Sequence, residues 1–359
     1  MPANNKAVID NDAKLAELLP SVQSAPWLGI DTEADSLHSY PEKLCLIQLS
    51  VPHQTVLIDP LSTVDLTPFW RAIDGKELIL HGSDYDLRLL HRSAGFVPVK
   101  LFDTMLAARV LGIMEFGLNS LVRSLLGISL EKGSQKANWS RRPLTEKMVT
   151  YALADAHHLK PLADELRRRM VELGRISWHE QLCRQLVEDA TQAPRDNSDE
   201  VWRIKAADRL SRRGLAVLKE LWRWREQEAI ATNRPPFFVL AHDTLFAMAV
   251  SASNGEPIQP LIPKRYSPRR QMALQEAVDR ALGLPEHRLP DLRRHRGQRI
   301  TNAQRDRAEE LRRRRDASAH RLSIDPSMIA SRATLNDLAR DWDTTAADLL
   351  PWQRELLAG

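Results

Sequence analysis

The chain has 359 residues, of which 43% are hydrophobic and 27% charged, and its 51 Lys and Arg exceed its 47 Asp and Glu by a formal charge of +4. This length predicts two or three domains, and the composition is typical of a globular protein rather than a disordered one. Residues 1–12 lack a basic stretch followed by an apolar core, and no apolar run reaches the roughly 18 residues that a membrane span needs. We therefore expect a cytoplasmic protein without membrane contact, in which Cys45 and Cys183 are buried free thiols.

Short apolar runs alternate with helical patterns in the first half of the chain. Strands are predicted at 27–33, 44–51 and 55–59, with gaps short enough for hairpins, and at 77–81 and 99–102 between helices. This order predicts an α/β domain over residues 1–192, built on a mixed five-stranded sheet flanked by helices. Residues 145–174 form a long helical pattern, in which Thr145 is a candidate N-cap and Pro161 should kink or divide the helix.

The second half is predicted to be all α. The polar, turn-rich stretch QAPRDNSDE at 192–200 predicts a domain boundary, and two helical units are expected beyond it, at 200–285 and 290–359. In the first unit Pro235 should stop a helix, and Phe237 or Phe238 should anchor the turn in the core. Residues 290–321 hold 11 arginines against five acids, which favours contact with phosphates over a merely solvated helix.

Asp31 and Glu33 directly follow the apolar run at 27–30. In an extended strand the side chains at i and i+2 point to one face, so these two carboxylates project together. Carboxylates held that close repel each other, and a divalent cation that prefers oxygen ligands, Mg²⁺ or Mn²⁺, removes the repulsion. For this stretch alone, a strand that ends in a polar turn is the simpler alternative.

Two further stretches turn these acids into a candidate metal site. The residues HGSDYD at 81–86 follow a predicted strand and open a helix, where open α/β sheets build their sites. Asp84 is favoured there as a helix-terminal residue, and Asp86 as the acid that faces the sheet end. Tyr151 and Asp155 lie four residues apart and therefore on one face of a helix. If that helix crosses the same sheet end, four acids form a cage for two divalent ions that can hydrolyse a phosphodiester, and Tyr151 can orient the water.

These motifs resemble a known superfamily in their order and spacing. The DTE at 31–33, the HGSDYD at 81–86 and the YALAD at 151–155 resemble the three motifs of the DEDD 3′–5′ exonucleases, tyrosine subclass. The FDT at 102–104, the KANWSRRPL at 136–144 and the YALADAHHL at 151–159 resemble the ribonuclease D family in particular. The resemblance covers residues 27–173 and implies an RNase H-like fold of the proofreading-exonuclease type.

The same resemblance implies a metal-dependent 3′–5′ exoribonuclease that releases 5′-mononucleotides. It assigns metal binding, with two Mg²⁺ or Mn²⁺ ions, to four acids, Asp31, Glu33, Asp86 and Asp155, and water positioning to Tyr151. It implies partners that are RNAs with a free 3′ end, such as tRNA precursors and other small structured RNAs. We infer no obligate protein partner.

Five residues are weaker candidates for substrate contact: Leu37, His81, Lys136, Arg141 and Arg142. Leu37 follows the DTE and could meet the terminal nucleotide, whereas the three cations precede the Tyr151 helix and could hold phosphates. Each candidate has a structural alternative, namely core packing for Leu37, a hydrogen-bonded strand end for His81, and solvated loop charges for the cations. Asp103 is expected to be an N-cap rather than a fifth ligand.

The helical half carries a second resemblance. Residues 215–249 resemble the helicase and RNase D C-terminal (HRDC) domain, a nucleic-acid-binding module, and residues 323–339 resemble part of a second, divergent unit. Two other functions stay open at this point. The same acids cleave DNA, so a 3′–5′ DNA exonuclease in repair is one alternative, and a non-catalytic RNA-binding protein on the same scaffold is the other. The intact set of acids and tyrosine argues against the latter.

Overall fold

The computed structural model describes residues 7–130, 133, 135–192, 200–292 and 301–358. The described residues group into two compact units. Of the described residues, unit 1 takes those within 7–34, 44–192 and 301–358, and unit 2 takes those within 35–43 and 200–292. None of the helices in the described part of the chain has the length and apolar content needed to cross a membrane.

Unit 1 is built on a mixed sheet whose strands are β1 Val8–Ile9, β2 Trp27–Ala34, β3 Leu44–Val51, β4 Gln54–Ile58, β5 Glu77–Leu80 and β6 Lys100–Asp103. Their order across the sheet is β1-β4-β3-β2-β5-β6. The β2/β3 and β3/β4 pairs are antiparallel, and the other pairs are parallel. The five predicted strands are therefore confirmed, but the sheet has six, because β1 is a two-residue strand too short to show a periodic pattern.

The helices of unit 1 that precede residue 192 are α1 Asp12–Ser24, α2 Thr67–Ile73, α3 Asp84–Ala94, α4 Thr104–Val110, α5 Leu118–Leu126, α6 Glu146–His157, α7 Leu159–Glu172 and α8 Ile176–Thr191. The Thr145 side chain accepts a hydrogen bond from the Met148 N–H, so the predicted N-cap is confirmed. The predicted long helix is divided at His158, three residues before Pro161. A proline ring clashes with the carbonyl four residues earlier, which explains a break at this place.

The helices beyond residue 298 pack within unit 1. They are α13 Asn302–Leu322, α14 Arg332–Arg340, α15 Trp342–Ala346 and α16 Pro351–Ala358. Leu311, Ile329 and Leu338 share one hydrophobic cluster with Phe102 of β6 and Leu166 of α7. In addition, the Trp352 ring stacks on Trp178, with 4.6 Å between ring centroids. Residues 290–359 therefore include helices that complete the core of the sheet domain, and residues 293–300 of that range lie outside the described part. Descent of this segment from a second HRDC copy stays a prediction.

Unit 2 contains α9 Arg212–Thr232, α10 Pro236–Val239, α11 His242–Ser253 and α12 Pro268–Leu282, which enclose their own core. The all-α second half is thus confirmed. The prediction that Phe237 or Phe238 anchors the turn is wrong, since these side chains are 50% and 55% exposed. Val239 and Leu240, each 2% exposed, fill the core instead, because the short α10 turns them inward.

Candidate functional site

Two strand acids and one helix acid meet on one face of the sheet. Asp31 and Glu33 lie two residues apart on β2, and Asp155 lies in the last turn of α6. One carboxylate oxygen of each of these three residues lies within 4.8 Å of the others. Gly29 allows this approach, because a Cβ there would stand 3.3 Å from the Ala156 carbonyl oxygen. The structure therefore brings together three of the four predicted metal ligands through close packing of α6 on β2.

Asp86, the fourth predicted ligand, approaches from α3. It is buried in the first turn of that helix, and its carboxylate accepts a hydrogen bond from the Thr32 hydroxyl. The negative charge of Asp86 also raises the pKa values of Asp31 and Glu33. Asp84, by contrast, is exposed and pairs with Arg88 one turn along the helix, with 2.8 Å between nitrogen and oxygen. Of the two aspartates, Asp86 is therefore the one that lies beside the strand acids.

Crowding and burial set the protonation of these acids. Burial raises the pKa of Asp31 well above its usual range, and the charges of Asp86 and Asp155 raise it further. Burial and the same neighbouring carboxylates raise the pKa of Glu33 to about 9. Burial also raises the pKa of Asp86 and of Asp155 to about 6, against hydrogen bonds from Thr32 and Tyr151 that lower them. A divalent cation would therefore stabilise the deprotonated cluster, because its charge offsets the repulsion among the carboxylates.

Tyr151 lies one turn before Asp155 on α6, and its hydroxyl is hydrogen-bonded to the Asp155 carboxylate. Burial and the nearby carboxylates raise the pKa of Tyr151, so its hydroxyl stays protonated at neutral pH and can donate a hydrogen bond. The ring packs 6.2 Å from the buried Trp139 ring, centroid to centroid. Gly133 also lies close to the ring, since an added Cβ there would fall 1.6 Å from a ring carbon. Two residues of the preceding loop thus pack against the Tyr151 ring.

Arg142 is engaged within the protein. Its guanidinium donates two hydrogen bonds of 2.6 Å to the two carboxylate oxygens of Asp59, which is buried at the end of β4. It also donates to the Cys45, Trp139 and Arg141 carbonyl oxygens at 2.8, 2.7 and 2.9 Å. Since these bonds use Nε and both terminal nitrogens, the geometry gives Arg142 a structural role rather than the substrate contact that the sequence suggested.

The other weak candidates differ in their surroundings. Lys136 and Arg141 have exposed side chains in the loop before α6, so both are accessible to a phosphate. Leu37 is 42% exposed and belongs to the 35–43 segment of unit 2. The His81 Nδ1 lies 2.9 Å from the Thr104 hydroxyl, which itself donates to the Leu80 carbonyl oxygen. Nδ1 is therefore the donor nitrogen, and burial lowers the pKa of His81.

Asp103 has a larger structural role than the expected N-cap. Its carboxylate accepts from the Met105 and Leu106 N–H groups, which confirms the cap of α4. It also accepts from the Gly82 and Ser83 N–H groups and from the Ser83 hydroxyl, at 3.2, 2.7 and 2.8 Å. One buried carboxylate thereby fixes the loop that delivers Asp86.

Gln48 is a residue of the site that sequence reasoning missed. It is directly opposite Asp31 in the β2/β3 pair, so the two side chains share a face. Gln48 is fully buried, yet neither polar atom of its amide has a hydrogen-bond partner among the described residues. A buried amide of this kind is costly unless something else satisfies it. The available signal was a glutamine inside the otherwise apolar run LCLIQLSV.

The arginines of α13 are largely paired on their own helix. Arg312, Arg313 and Arg314 contact Glu309 or Glu310 at 2.6–3.2 Å, and Arg315 contacts Asp316 at 2.7 Å. Exposed pairs of this kind are worth little and exchange readily for other anions. The remaining part of the predicted arginine-rich segment, 293–300, lies outside the described residues.

Two family models match separate parts of the chain. The 3′–5′ exonuclease family model matches residues 7–171, and the HRDC domain model matches residues 214–255. The chain is 31% identical over 244 residues to ribonuclease D of Psychromonas ingrahamii, a match that covers 67% of the chain and 65% of that relative. It therefore spans slightly less than two thirds of that relative's length. Ribonuclease D of Granulibacter bethesdensis is 29% identical over 359 residues, which cover 97% of the chain and 90% of the relative.

Among solved structures, the fold matches that of Escherichia coli RNase D. The TM-score is 0.75 at 26% identity, with 100% of the chain and 97% of that structure covered. That protein is described as an exoribonuclease involved in structured RNA processing. The mixed sheet with flanking helices and the helical second half are thus the fold that the sequence motifs implied.

Proposed function

Since the chain belongs to the ribonuclease D family, we propose that it is a metal-dependent exoribonuclease that removes nucleotides from the 3′ end of RNA as 5′-mononucleotides. The observation that carries the proposal is the convergence of Asp31, Glu33 and Asp155 within 4.8 Å, with Asp86 and Tyr151 beside them. A structural role would not require buried carboxylates to be crowded in this way.

The donor set fits Mg²⁺ or Mn²⁺, since it consists of carboxylate oxygens whose raised pKa values reflect burial and, after it, mutual repulsion. We propose two ions, held by four acids: Asp31, Glu33, Asp86 and Asp155. When bound, such ions supply a water of lowered pKa and stabilise the leaving oxygen in phosphodiester hydrolysis.

The side chains of the chain itself have separate tasks in this proposal. Tyr151 keeps its proton and donates a hydrogen bond, which orients the attacking water at the scissile phosphate. Trp139 and Gly133 hold the Tyr151 ring, and Asp103 fixes the loop that carries Asp86. The exposed cations Lys136 and Arg141 are proposed to contact phosphates of the strand, and Leu37 and His81 remain candidates for contact with the terminal nucleotide.

The proposed substrates are tRNA precursors and other small structured RNAs with a free 3′ end. Support comes from the description of the Escherichia coli protein and from the match to the HRDC model. No obligate protein partner enters the proposal. A cytoplasmic location is proposed as well, because the buried Cys183 is a thiol, as in proteins of reducing compartments.

The test is a time course on RNA labelled at its 5′ end and on matched DNA, with Mg²⁺, Mn²⁺ or chelator. A ladder of progressively shorter RNA that depends on the metal supports the proposal, and equal shortening of DNA would favour a DNA exonuclease. Tyr151→Phe should lower kcat by about 100-fold, within the range for loss of a proton-handling or water-orienting group. Internal cuts, or a Tyr151→Phe protein with the parental rate, would refute the mechanism.

A further inference from the structure

A second cleft opens in unit 1 beside the α6/α7 junction. Its volume is about 630 Å³, and its polar and aromatic lining includes Trp27, His53, His157, His158 and Lys160, which together define what we call the histidine cleft. Among its described lining residues none is acidic. The cleft therefore presents aromatic rings together with hydrogen-bond donors, a combination that suits a nucleotide rather than a cation.

The histidine cleft lies on the same sheet face as the metal site. Trp27, Gly29, Asp31 and Glu33 alternate along β2 and so share one face, with Trp27 about 13 Å from Asp31 at the usual rise per residue. The α6/α7 junction packs on this face at Gly29, which lies between Trp27 and Asp31 on β2. Ala154 and His158 line both the histidine cleft and the cavity that contains Tyr151 and Asp155. A strand that enters the metal site therefore finds this cleft as the adjoining opening.

Two details of the lining show donors held in place. The Lys160 ammonium lies 5.4 Å from the Trp27 ring centroid and also pairs with Asp164, one turn along α7. His157 Nδ1 lies 3.2 Å from the Thr55 hydroxyl, and its ring meets the His158 ring edge to face at 4.9 Å. These contacts orient two imidazoles and one ammonium along one wall.

His53 adds an observation that is independent of the cavity. It occupies the two-residue turn between β3 and β4 with φ of +72°, a left-handed conformation that normally calls for glycine or asparagine. Strained residues of this kind concentrate at ligand clamps and other functional positions. Here the turn presents an exposed imidazole to the histidine cleft.

We propose that the histidine cleft binds a nucleotide of the RNA strand upstream of the 3′ terminus, with its phosphate on His53, His157 and Lys160 and its base against Trp27. This inference rests on the proposed exonuclease function, since it supplies a holding site for the same strand. The released 5′-mononucleotide also has a base and a phosphate and would fit the same cleft. The experiment distinguishes the bound strand from this bound product.

The test compares His53→Asn/Lys160→Met with a matched control, His287→Asn/Arg71→Met, which likewise removes one imidazole and one cationic side chain, from exposed positions outside the cleft. Asparagine tolerates the left-handed turn, and methionine keeps an unbranched side chain at position 160 without its charge. We measure the Kd of a fluorescent RNA octamer in chelator, and kcat/KM on the octamer and on a dinucleotide with Mg²⁺. The cleft variant should bind the octamer at least about tenfold more weakly than the control, as expected for loss of hydrogen bonds to a charged group.

The loss of kcat/KM should also be about tenfold larger for the octamer than for the dinucleotide, which is too short to reach from the carboxylates to Trp27. If inhibition by 5′-AMP weakens while the octamer Kd stays the same, the cleft binds the product nucleotide instead of the strand. If the octamer Kd, the substrate ratio and the 5′-AMP inhibition all stay within twofold of the control, the proposal is overturned. A parent that binds the octamer in chelator but fails to shorten it with metal would refute the exonuclease function and leave the binding result intact.

Discussion

Arg142 joins the loop before α6 to the end of β4 through two hydrogen bonds of 2.6 Å to Asp59. Because Asp59 is buried, loss of these two hydrogen bonds would leave an incompletely paired carboxylate inside the protein. Arg142→Lys should therefore destabilise the fold by about 2–3 kcal/mol. The variant should also lower kcat, because Arg142 holds the Trp139 carbonyl oxygen and Trp139 packs against Tyr151.

Arg141→Lys is the matched control for this prediction, since its side chain is exposed in the same loop. Denaturant unfolding and steady-state kinetics on RNA check both effects. Equal stability of the two variants would show that the hydrogen bonds from Arg142 to Asp59 contribute nothing measurable to the free energy of unfolding.

Asp86 and Asp84 lie two residues apart on α3 but have opposite environments. Asp86 is buried beside Thr32, and Asp84 is exposed and paired with Arg88. Loss of a residue that only supports a metal ligand lowers activity by roughly 10–100-fold. Asp86→Asn should lower kcat by more than this, and it should also weaken activation by Mg²⁺. Asp84→Asn should leave both within about twofold, as expected for a surface change. The reverse pattern would transfer the metal role to Asp84.

Without metal, the acid cluster should make stability depend on pH. Glu33 has a pKa of about 9 in the folded protein against 4.5 for an ordinary glutamate, so between these values the folded state holds a proton that the unfolded chain has released. Between pH 5 and 9, stability in chelator should therefore fall as the pH rises. Asp86 and Asp155, each near 6, contribute to the same fall between about pH 4 and 6.

Thermal unfolding in chelator from pH 5 to 9 measures this dependence, with Glu33→Gln as the comparison. The substituted protein should show a flatter profile because the amide does not titrate. In the parent, Mg²⁺ should raise Tm more at pH 8 than at pH 6, because bound metal replaces the protons. A parental Tm in chelator that rises from pH 6 to 8 would contradict the predicted protonation.

The elements that carry the site could be predicted from sequence because each has a local signal. The strand with Asp31 and Glu33 has an apolar run, and the helix with Tyr151 and Asp155 has its Thr145 cap and helical period. Contacts between distant parts of the chain had no such signal. Asp59 and Arg142 are 83 residues apart in the sequence. The position of Gln48 opposite Asp31 could be predicted only if the register of the β2/β3 pair were known.

The wrong prediction for Phe237 and Phe238 has a related cause. Hydrophobicity identified an anchoring segment, but which of its residues faces the core depends on the turn of the four-residue α10, and Val239 and Leu240 face it instead. The packing of Leu311 and Trp352 with the sheet domain was likewise invisible, because an amphipathic helix does not specify which core it completes.

Gly133 offers a test of how tightly Tyr151 must be held. A Cβ at this position would fall 1.6 Å from the Tyr151 ring, so Gly133→Ala must displace the ring or the loop. A displacement of about 1 Å can cost about 100-fold in rate, so kcat should fall by 10- to 100-fold, whereas the rise in Tm with Mg²⁺ should persist. Gly117→Ala, where a Cβ meets open space, is the control. A parental kcat in Gly133→Ala would show that the loop can shift without displacing the Tyr151 ring.

Gln48 should influence the metal rather than the fold. Its buried amide has no partner among the described residues, so Gln48→Leu removes an unsatisfied group and should leave stability in chelator unchanged or higher by about 1 kcal/mol. Because the amide shares a face with Asp31, its loss should weaken Mg²⁺ binding, seen as a smaller metal-induced rise in Tm and a higher Mg²⁺ requirement for hydrolysis. Gln48→Glu, which adds a carboxylate to the same cluster, should lower stability in chelator as the pH rises. If Gln48→Leu instead unfolds at lower denaturant concentration in chelator with parental Mg²⁺ dependence, the residue supports the sheet and not the metal site.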